Sequence, residues 1–280
     1  MAEPLHALYL SPHLDDVALS CSARLRTERA SGKRVRVLSF FTKGDESHAE
    51  RKAEDARALK LLDVEGEHAE LSDAPFRSPR YDRLSRLCLA RDASFEAASL
   101  PEVERALDAV IQREQPERVI APLGVGGHVD HRLVHLAARN RVPPSQLELY
   151  EDRPYALVAG AVEWRLRELG ANVDVLARGA YLRAFLGSAY VKSFLRPRDF
   201  VALARHVRGP IAADPIRIHS TIERHGLDER AFAIMVGLAY GSQWAPLFGG
   251  LGEHERALRE AAESLGAPNG HAERYWRIET

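Results

Sequence analysis

Short apolar runs alternate with amphipathic patterns through the first 150 residues. A run rich in β-branched and aromatic residues predicts a strand at 35–41, and other short runs predict strands at 6–11, 68–71, 118–121 and 147–150. Apolar residues at helical spacing predict helices at 16–30, 50–62, 101–113 and 130–139. Parallel strands need crossover connections, which are normally helical. The alternation therefore predicts an α/β fold: a doubly wound, mostly parallel, Rossmann-like sheet with helices on both faces.

Helical patterns dominate after residue 155. They predict helices at 180–194, 197–206, 229–240 and 253–265. No Pro/Gly-rich linker is long enough to separate a second domain, so we expect residues 1–280 to form one domain with a helix-rich C-terminal portion from about 156. The segment 72–100 is rich in Ser, Pro, Arg and Asp, and we expect a loop region able to cover a site there.

Composition excludes several classes of function. The 39 Lys and Arg residues balance 40 Asp and Glu residues, so no net charge attracts nucleic acid or an anionic membrane over long range. We find no basic apolar leader and none of the runs of about 18 apolar residues that cross a bilayer, so we expect a cytoplasmic protein without membrane insertion. The two cysteines are too few for a disulfide framework. No pattern indicates an oligomeric state.

The first predicted strand ends in a cluster of ionisable residues, His13, Asp15 and Asp16. Ligand sites of open α/β sheets lie beyond the carboxyl ends of strands, where these residues fall. His13 in the turn and Asp16 at the helix entry can point at one ion, leaving Asp15 unligated nearby. A single aspartate could equally be a helix cap worth about 1 kcal/mol. Capping alone does not explain two adjacent aspartates behind a histidine.

A second cluster, His128-Val129-Asp130-His131, follows the predicted strand at 118–121 and opens the next helix. The preceding glycines match neither the phosphate-binding loop nor the dinucleotide fingerprint, and a flexible turn explains them. The motif offers one histidine for an ion, another for acid/base work and a carboxylate that can fix an imidazole tautomer. A solvated loop is the alternative interpretation.

Together the clusters provide two histidines and one carboxylate, a set that catalytic zinc uses while keeping open positions for water. Asp15 is then free to act as a base. Iron(II) favours the same set, so the ligands alone do not identify the metal. We favour zinc because hydrolysis needs no redox chemistry.

The two clusters resemble the motifs of the PIG-L / LmbE-like family of metal-dependent N-acetylglucosaminyl de-N-acetylases. That family's Pro-His-Pro-Asp-Asp-Glu appears here as Pro12-His13-Leu14-Asp15-Asp16-Val17, and its His-Pro-Asp-His appears as His128-Val129-Asp130-His131. Weaker similarity extends along the chain, at Arg51-x-x-Glu54, Tyr150-Glu151-Asp152-x-Pro154-Tyr155, Tyr240-Gly241-Ser242-Gln243 and Glu273-Arg274-Tyr275-Trp276.

The resemblance implies a hydrolase that removes the acetyl group from an N-acetylglucosamine-type amino sugar or glycoconjugate. It implies one Zn²⁺ per chain, bound by His13, Asp16 and His131. It also implies that Asp15 is the general base and that His128 is the electrophilic or acidic partner. Asp130 would orient His128, and Arg51 would contact a substrate hydroxyl.

Two residues of the first motif depart from the family pattern. Leu14 in place of proline only loosens a turn preference. Val17 in place of glutamate removes an acidic side chain that could orient the metal ligands. The loss of such a side chain typically lowers metal affinity or activity by roughly 10–100-fold. Two alternative functions share this site: hydrolysis of another ester or phosphoester bond, and a catalytically inert module that binds a sugar or nucleotide.

Overall fold

The computed structural model describes residues 4–89, 93–199, 201 and 215–279. Seven strands form one sheet in the order β3-β2-β1-β4-β5-β7-β6. The strands are β1 (Ala7–Ser11), β2 (Val35–Lys43), β3 (Glu65–Ser72), β4 (Arg118–Pro122), β5 (Leu147–Tyr150), β6 (Arg217–His225) and β7 (His271–Glu279). The first five pair in parallel, and β7 pairs antiparallel with both β5 and β6. The mostly parallel sheet predicted from the sequence is confirmed.

Twelve α-helices lie in the described part of the chain. They are α1 (Asp16–Ser20), α2 (Ser22–Ala30), α3 (Ser47–Leu62), α4 (Ala74–Arg77), α5 (Ala93–Glu114), α6 (Val129–Arg141), α7 (Ala161–Glu168), α8 (Arg178–Gly187), α9 (Ala189–Phe194), α10 (Leu227–Leu238), α11 (Gly241–Phe248) and α12 (Leu251–Ser264). Short helical turns lie at Pro79–Tyr81, Ser85–Leu89, Val125–Gly127, Tyr155–Leu157 and Pro197–Asp199.

Helices cover both faces of the sheet, as predicted. Side chains alternate along β1, so that Leu8 and Leu10 join one apolar cluster while Ala7 and Tyr9 join another. The first cluster includes residues of α5, α6 and α7, and the second includes residues of α1, α2, α3 and α10. Strand β1 is therefore buried on both sides, and its carboxyl end is held rigidly between the two cores.

Several predicted boundaries are corrected by the structure. The helix predicted at 16–30 is two helices, because Cys21 leaves the helical conformation and the carboxylate of Glu273 accepts from the first free N–H groups of α2. The helix expected to open at Pro101 begins at Ala93, which places Pro101 inside α5 and shortens the loop region expected at 72–100.

Two strands were missing from the prediction. Strands β6 and β7 pair along their full length, from Arg217 with Glu279 to His225 with His271. Both carry many charged residues, so they lack the apolar runs that marked β1 and β2. Part of the predicted helix at 197–206 lies outside the described residues; its start is the turn Pro197–Asp199.

Among the described residues, no single helix has the length and apolar character needed to cross a membrane. The helices α10 and α11 are long and apolar enough only when they are counted as one segment, and they are bent by 113° relative to one another.

Candidate metal centre

The carboxyl ends of three neighbouring strands converge on one cluster of ionisable side chains. His13 and Asp16 follow β1, the segment His128–His131 follows β4, and Asp152 follows β5. These strands are adjacent and parallel in the sheet, so their carboxyl ends share one edge. The topology thus brings together segments that are more than a hundred residues apart in the chain.

The three predicted metal ligands face one another. Asp16 Oδ2 lies 3.3 Å from His13 Nδ1, and Asp16 Oδ1 lies 3.4 Å from His131 Nε2. One ligand atom from each of the three residues lies within 4.8 Å of the other two. This arrangement matches the two-histidine, one-carboxylate set of a catalytic divalent cation.

His131 is oriented so that one ring nitrogen is available. Its Nδ1 lies 2.6 Å from Asp152 Oδ1, and the backbone N–H groups of Gly124 and Val125 donate to Asp152 Oδ2 at 2.8 and 3.0 Å. Because the Nδ1–H of His131 donates a hydrogen bond to Asp152, Nε2 carries the lone pair of the ring, and this lone pair points towards Asp16. This Nε2 atom is buried and has no hydrogen-bond partner. A bound cation satisfies such an atom, so the residues fit a metal.

Asp16 is held as a carboxylate. The backbone N–H of His13 donates to Asp16 Oδ2 at 2.7 Å. Burial alone raises the pKa of Asp16, but the interactions with His131 and His13 outweigh burial and lower this pKa well below its usual range. A metal ligand of this type must be ionised.

Val17 packs in the core and does not face the site. Its side chain is buried in the apolar cluster that contains Ala7 and Tyr9. The motif glutamate that Val17 replaces was expected to help orient the ligands. In this chain His13 N–H orients Asp16, and Asp152 orients His131, so both ligands keep hydrogen bonds that fix their positions.

Asp15 is buried beside the ligands, and its side chain does not cap α1. Burial raises the pKa of Asp15, the negative charge of Asp16 raises it further, and Arg51 and His13 act in the opposite direction. A carboxylate with a raised pKa is a better proton acceptor. The structure therefore places a general-base candidate next to the ligand set.

His128 caps the N-terminus of α6 and is oriented by that role. Its Nδ1 accepts from the backbone N–H of Asp130 at 3.3 Å, which leaves the ring proton on Nε2. Burial and the nearby charge of His13 lower the pKa of His128 to about 3. His128 is therefore a neutral imidazole with one N–H to donate, and its ring lies 5.0 Å from that of His13.

The carboxylate of Asp130 does not orient His128, in contrast to the role implied by the resemblance. Oδ1 of Asp130 accepts from Arg77 at 2.5 Å, and Oδ2 accepts from Ala74 N–H at 3.1 Å and lies 3.3 Å from His13 Nε2. The backbone N–H of Asp130 is the group that donates to His128. Its carboxylate instead ties α4 to the centre and contacts His13, which forms a second cluster with His128 and Asp130.

Arg51 reaches the same cluster through a residue that the sequence analysis did not single out. Its Nη1 lies 3.6 Å from Asp73 Oδ2, and Asp73 Oδ1 lies 3.6 Å from His13 Nε2. The Nε atom of Arg51 is buried without a hydrogen-bond partner. Burial alone raises the pKa of Asp73, but hydrogen bonds from His13 and His48 lower it well below its usual range. Asp73 directly follows β3, at the same sheet edge, which is the signal that could have identified it.

The chain is similar to known proteins in both sequence and fold. The family profile PIG-L, GlcNAc-PI de-N-acetylase, matches residues 8–142. A 2'-N-acetylparomamine deacetylase of Streptomyces fradiae is 35% identical over 191 residues, which cover 60% of this chain and 66% of the relative. The match thus spans just under two thirds of that relative's length.

Two solved structures share the fold. The zinc-inhibited form of teicoplanin deacetylase Orf2 superposes with a TM-score of 0.68 at 19% identity, over 98% of each chain. A pseudoaglycone deacetylase, Dbv21, superposes with a TM-score of 0.64 at 20% identity, over 99% of this chain and 98% of its own. The profile match and the two motifs fall on the same part of the chain. Residues 8–142 are similar to the PIG-L family domain.

Proposed function

We propose that this protein is a zinc-dependent de-N-acetylase that hydrolyses the acetamide of an N-acetylglucosamine-type amino sugar or glycoconjugate, releasing acetate and a free amine. The relative from Streptomyces fradiae, named for deacetylation of an amino sugar, supports this reaction class. The proposal treats residues 1–280 as one domain with a small-molecule substrate.

The observation that carries the proposal is the orientation of His131, whose Nδ1 is hydrogen-bonded to Asp152 and whose Nε2 lies 3.4 Å from Asp16 Oδ1. It leaves the buried Nε2 of His131 unpaired and facing a carboxylate. The unpaired nitrogen faces Asp16, which also lies 3.3 Å from His13 Nδ1, and this convergence favours a ligand role. We infer that His13, Asp16 and His131 hold one Zn²⁺, with Fe²⁺ as the other candidate from this donor set.

Zinc in such a site lowers the pKa of water from 15.7 towards about 7 and polarises a carbonyl oxygen. In our proposal Asp15 accepts the proton of the attacking water, because its carboxylate is buried, has a raised pKa and lies outside the ligand set. The Nε2–H of neutral His128 donates to the developing oxyanion. Asp15 then returns the proton to the leaving nitrogen. Arg51, next to Asp73, contacts a substrate hydroxyl.

The direct test joins metal analysis with an assay. We expect about one zinc per chain, as a single catalytic site requires, and acetate release from N-acetylglucosamine derivatives that a chelator abolishes and added zinc restores. Metal-free protein that still binds sugar would instead support the inert module, and cleavage restricted to esters or phosphoesters would support the other hydrolase.

Replacing Asp15 tests the base. Asp15→Asn removes the proton acceptor while keeping the side-chain shape, so turnover falls at least about 10²-fold. Zinc content stays near that of the wild type, because Asp15 is not a ligand. The control is Asp174→Asn, at an exposed position, which leaves both quantities unchanged. An Asp15→Asn protein with full metal and full activity contradicts the role.

A further inference from the structure

His13 presents its two ring nitrogens to two different carboxylates. Nδ1 lies 3.3 Å from Asp16 Oδ2, and Nε2 lies 3.3 Å from Asp130 Oδ2. His13 therefore belongs to two groups of potential ligands, one with Asp16 and His131 and the other with His128 and Asp130. A neutral imidazole binds a cation through the nitrogen that carries no proton. The position of one proton on His13 thus decides which group can hold the metal.

Packing helps to fix the ring of His131, the other histidine ligand. The ring of Tyr155 lies edge-on to it at 5.2 Å, and a Cβ atom at Gly126 would meet the Tyr155 ring at 2.4 Å. Tyr155 and Gly126 also line a cavity of about 530 Å³, whose other residues come mostly from α8, α9, α11 and α12. These two residues thus form a wall between His131 and the cavity. His131 is held both by this wall and by the carboxylate of Asp152.

The ring of His13 is oriented by hydrogen bonds instead. Its aromatic neighbours are the imidazoles of His128 and His131, at 5.0 and 5.3 Å, and the ring of Phe41 at 6.4 Å. Rotating the ring of His13 by 180° would exchange each nitrogen with a carbon and leave its shape almost unchanged, so these ring contacts do not distinguish the two orientations. The acceptors around the ring make that distinction.

Asp130 can only accept a hydrogen bond from Nε2 of His13. Asp130 is fully buried, and Nη2 of Arg77 donates to its Oδ1 at 2.5 Å. An arginine side chain keeps its charge, so the pair with Arg77 keeps Asp130 ionised and without a proton to donate. The backbone N–H of Ala74 donates to Oδ2 at 3.1 Å and holds this oxygen next to His13. The proton of a neutral His13 consequently lies on Nε2, and Nδ1 is left to face Asp16.

Arg77 is held in place by two further contacts. Its Nη1 donates to the backbone carbonyl of Ser72 at 2.8 Å, and its guanidinium lies over the ring of Phe41, 4.7 Å from the ring centroid. Removing Arg77 would leave the buried charge of Asp130 uncompensated, and such a loss is more costly than the loss of an exposed ion pair.

We propose that Arg77 is a positioning residue for the metal centre: through its pair with Asp130, it keeps the proton of His13 on Nε2 and directs Nδ1 to the metal. The inference rests on the proposed zinc site and deepens it, because it names the pair that selects between the two groups of ligands. Asp73 Oδ1, at 3.6 Å from Nε2, favours the same tautomer from a greater distance.

Arg77→Met tests this role, and Arg36→Met is its matched control. Arg36 also donates to a carboxylate, that of Glu114 at 2.6 Å, and its side chain is 19% exposed, against 13% for Arg77. Arg36 lies near the start of β2, at the opposite edge of the sheet from the metal centre. Arg77→Lys keeps a positive charge that can pair with Asp130.

We expect Arg77→Met to weaken zinc binding by roughly 10–100-fold, as measured by competition with a chromogenic chelator. Arg36→Met leaves the affinity unchanged, and Arg77→Lys recovers most of the loss. An Arg77→Met protein with the zinc affinity of the wild type, or equal losses in Arg77→Met and Arg36→Met, overturns the inference. If circular dichroism shows that Arg77→Met does not fold, an affinity of Arg77→Lys as low as that of a His13→Gln protein overturns it.

NMR of the zinc-loaded wild type, labelled with ¹⁵N-histidine, shows which nitrogen of His13 carries the proton. The signals of His13 are those missing from His13→Gln. We expect the proton on Nε2 and the metal on Nδ1. A metal on Nε2, or His13 signals that zinc does not shift, overturns the inference without any change at Arg77.

These measurements use no substrate, so they separate the inference from the proposed reaction. If zinc binds through Nδ1 and Arg77→Met weakens it, but no N-acetylglucosamine derivative releases acetate, the inference stands and the deacetylase proposal fails. If acetate is released and Arg77→Met leaves the zinc affinity unchanged, the inference alone fails. A wild type that binds no zinc overturns both.

Discussion

One hydrogen bond decides which nitrogen of His131 can face a cation. Asp152 accepts from Nδ1 of His131, and Asp152 is itself fixed by two backbone N–H groups of the turn after β4. The imidazole consequently has one tautomer and one orientation before any ion binds. Groups of this type tune metal affinity although they never contact the metal.

Replacing Asp152 with Asn should weaken zinc binding by roughly 10–100-fold. The amide cannot accept from Gly124 N–H, Val125 N–H and His131 Nδ1–H at once, because one of its two polar atoms is a donor. Competition with a chromogenic chelator measures the affinity. An unchanged zinc affinity would show that Asp152 does not orient His131.

At the residue scale the sequence predicted which side chains meet, but not all of their contacts. His13, Asp16 and His131 could be found because each stands in a dense motif at a strand end. Asp73 stands alone in the sequence, and a lone aspartate after a strand is normally interpreted as a turn or cap residue. Asp152 lies in a segment with weaker similarity to the family, to which the sequence assigns no role. The change in the role of Asp130 depends on Arg77, whose position is set by the path of the chain after β3.

At the scale of elements, β7 supports a helix that begins 250 residues earlier. Glu273 is buried and accepts from the N–H groups of Ala23 and Arg24, the first turn of α2, and from the hydroxyl of Tyr275. The side chain of a strand thus does the work that a local cap does in most helices. The helix and the antiparallel end of the sheet stabilise one another.

Glu273→Ala should lower the free energy of unfolding by at least about 2 kcal/mol, because it leaves two buried N–H groups without an acceptor. Chemical denaturation followed by circular dichroism measures the change. The matched variant is Glu279→Ala in the same strand, whose pair with His219 is exposed and contributes at most about 1 kcal/mol. Equal effects of the two variants would rule out the capping role.

The longer helices and the parallel strands could be predicted because most have a repeating apolar pattern, whereas the short helices α4, α7 and α11 and the strands β6 and β7 could not. Trp276 and Ile278 alternate with charged neighbours in β7, and the paired side chains of β6 are mostly half-buried or exposed. Their pairing is stabilised by contacts with each other and with β5, which no local pattern reveals. The division of the helix predicted at 16–30 could not be predicted either, because it depends on Glu273, which is distant in the sequence.

At the scale of the whole molecule, a buried carboxylate links four separate elements. Glu148 in β5 accepts from Arg24 of α2 at 2.7 Å, Arg118 of β4 at 3.3 Å and Arg277 of β7 at 2.7 Å. Burial alone would raise the pKa of Glu148, but these arginines lower it to about 2. The parallel and antiparallel parts of the sheet are joined through this charge.

The lowered pKa predicts an acid-sensitive contribution to stability. In the unfolded chain a glutamate has a pKa of about 4.3. Between about pH 4.3 and the folded pKa of about 2, the unfolded chain therefore binds more protons than the folded chain. The contribution is present above the unfolded pKa and is lost as the pH falls through that window. Glu148→Gln should be less stable than the wild type at pH 7 and should lose less stability on acidification. Denaturation midpoints between pH 7 and pH 2, with exposed Glu255→Gln as control, measure this.

Metal binding should raise the stability of the whole chain. A zinc concentration of 100 times the dissociation constant adds about 2.7 kcal/mol to the free energy of unfolding, provided that only the folded state binds. Chelation should therefore lower the melting temperature, and added zinc should restore it. His131→Ala should abolish this response, while His219→Ala, at an exposed position, should retain it. A response that survives His131→Ala would place the bound ion elsewhere.

The wall formed by Gly126 and Tyr155 separates two stretches of the chain with different duties. The ligands and the groups that orient them precede residue 153, whereas most of the cavity lining follows it. The same later stretch carries Glu273 and Arg277 of β7, which hold α2 and β5. A protein engineer who exchanges the lining of the cavity must therefore leave β7 in place.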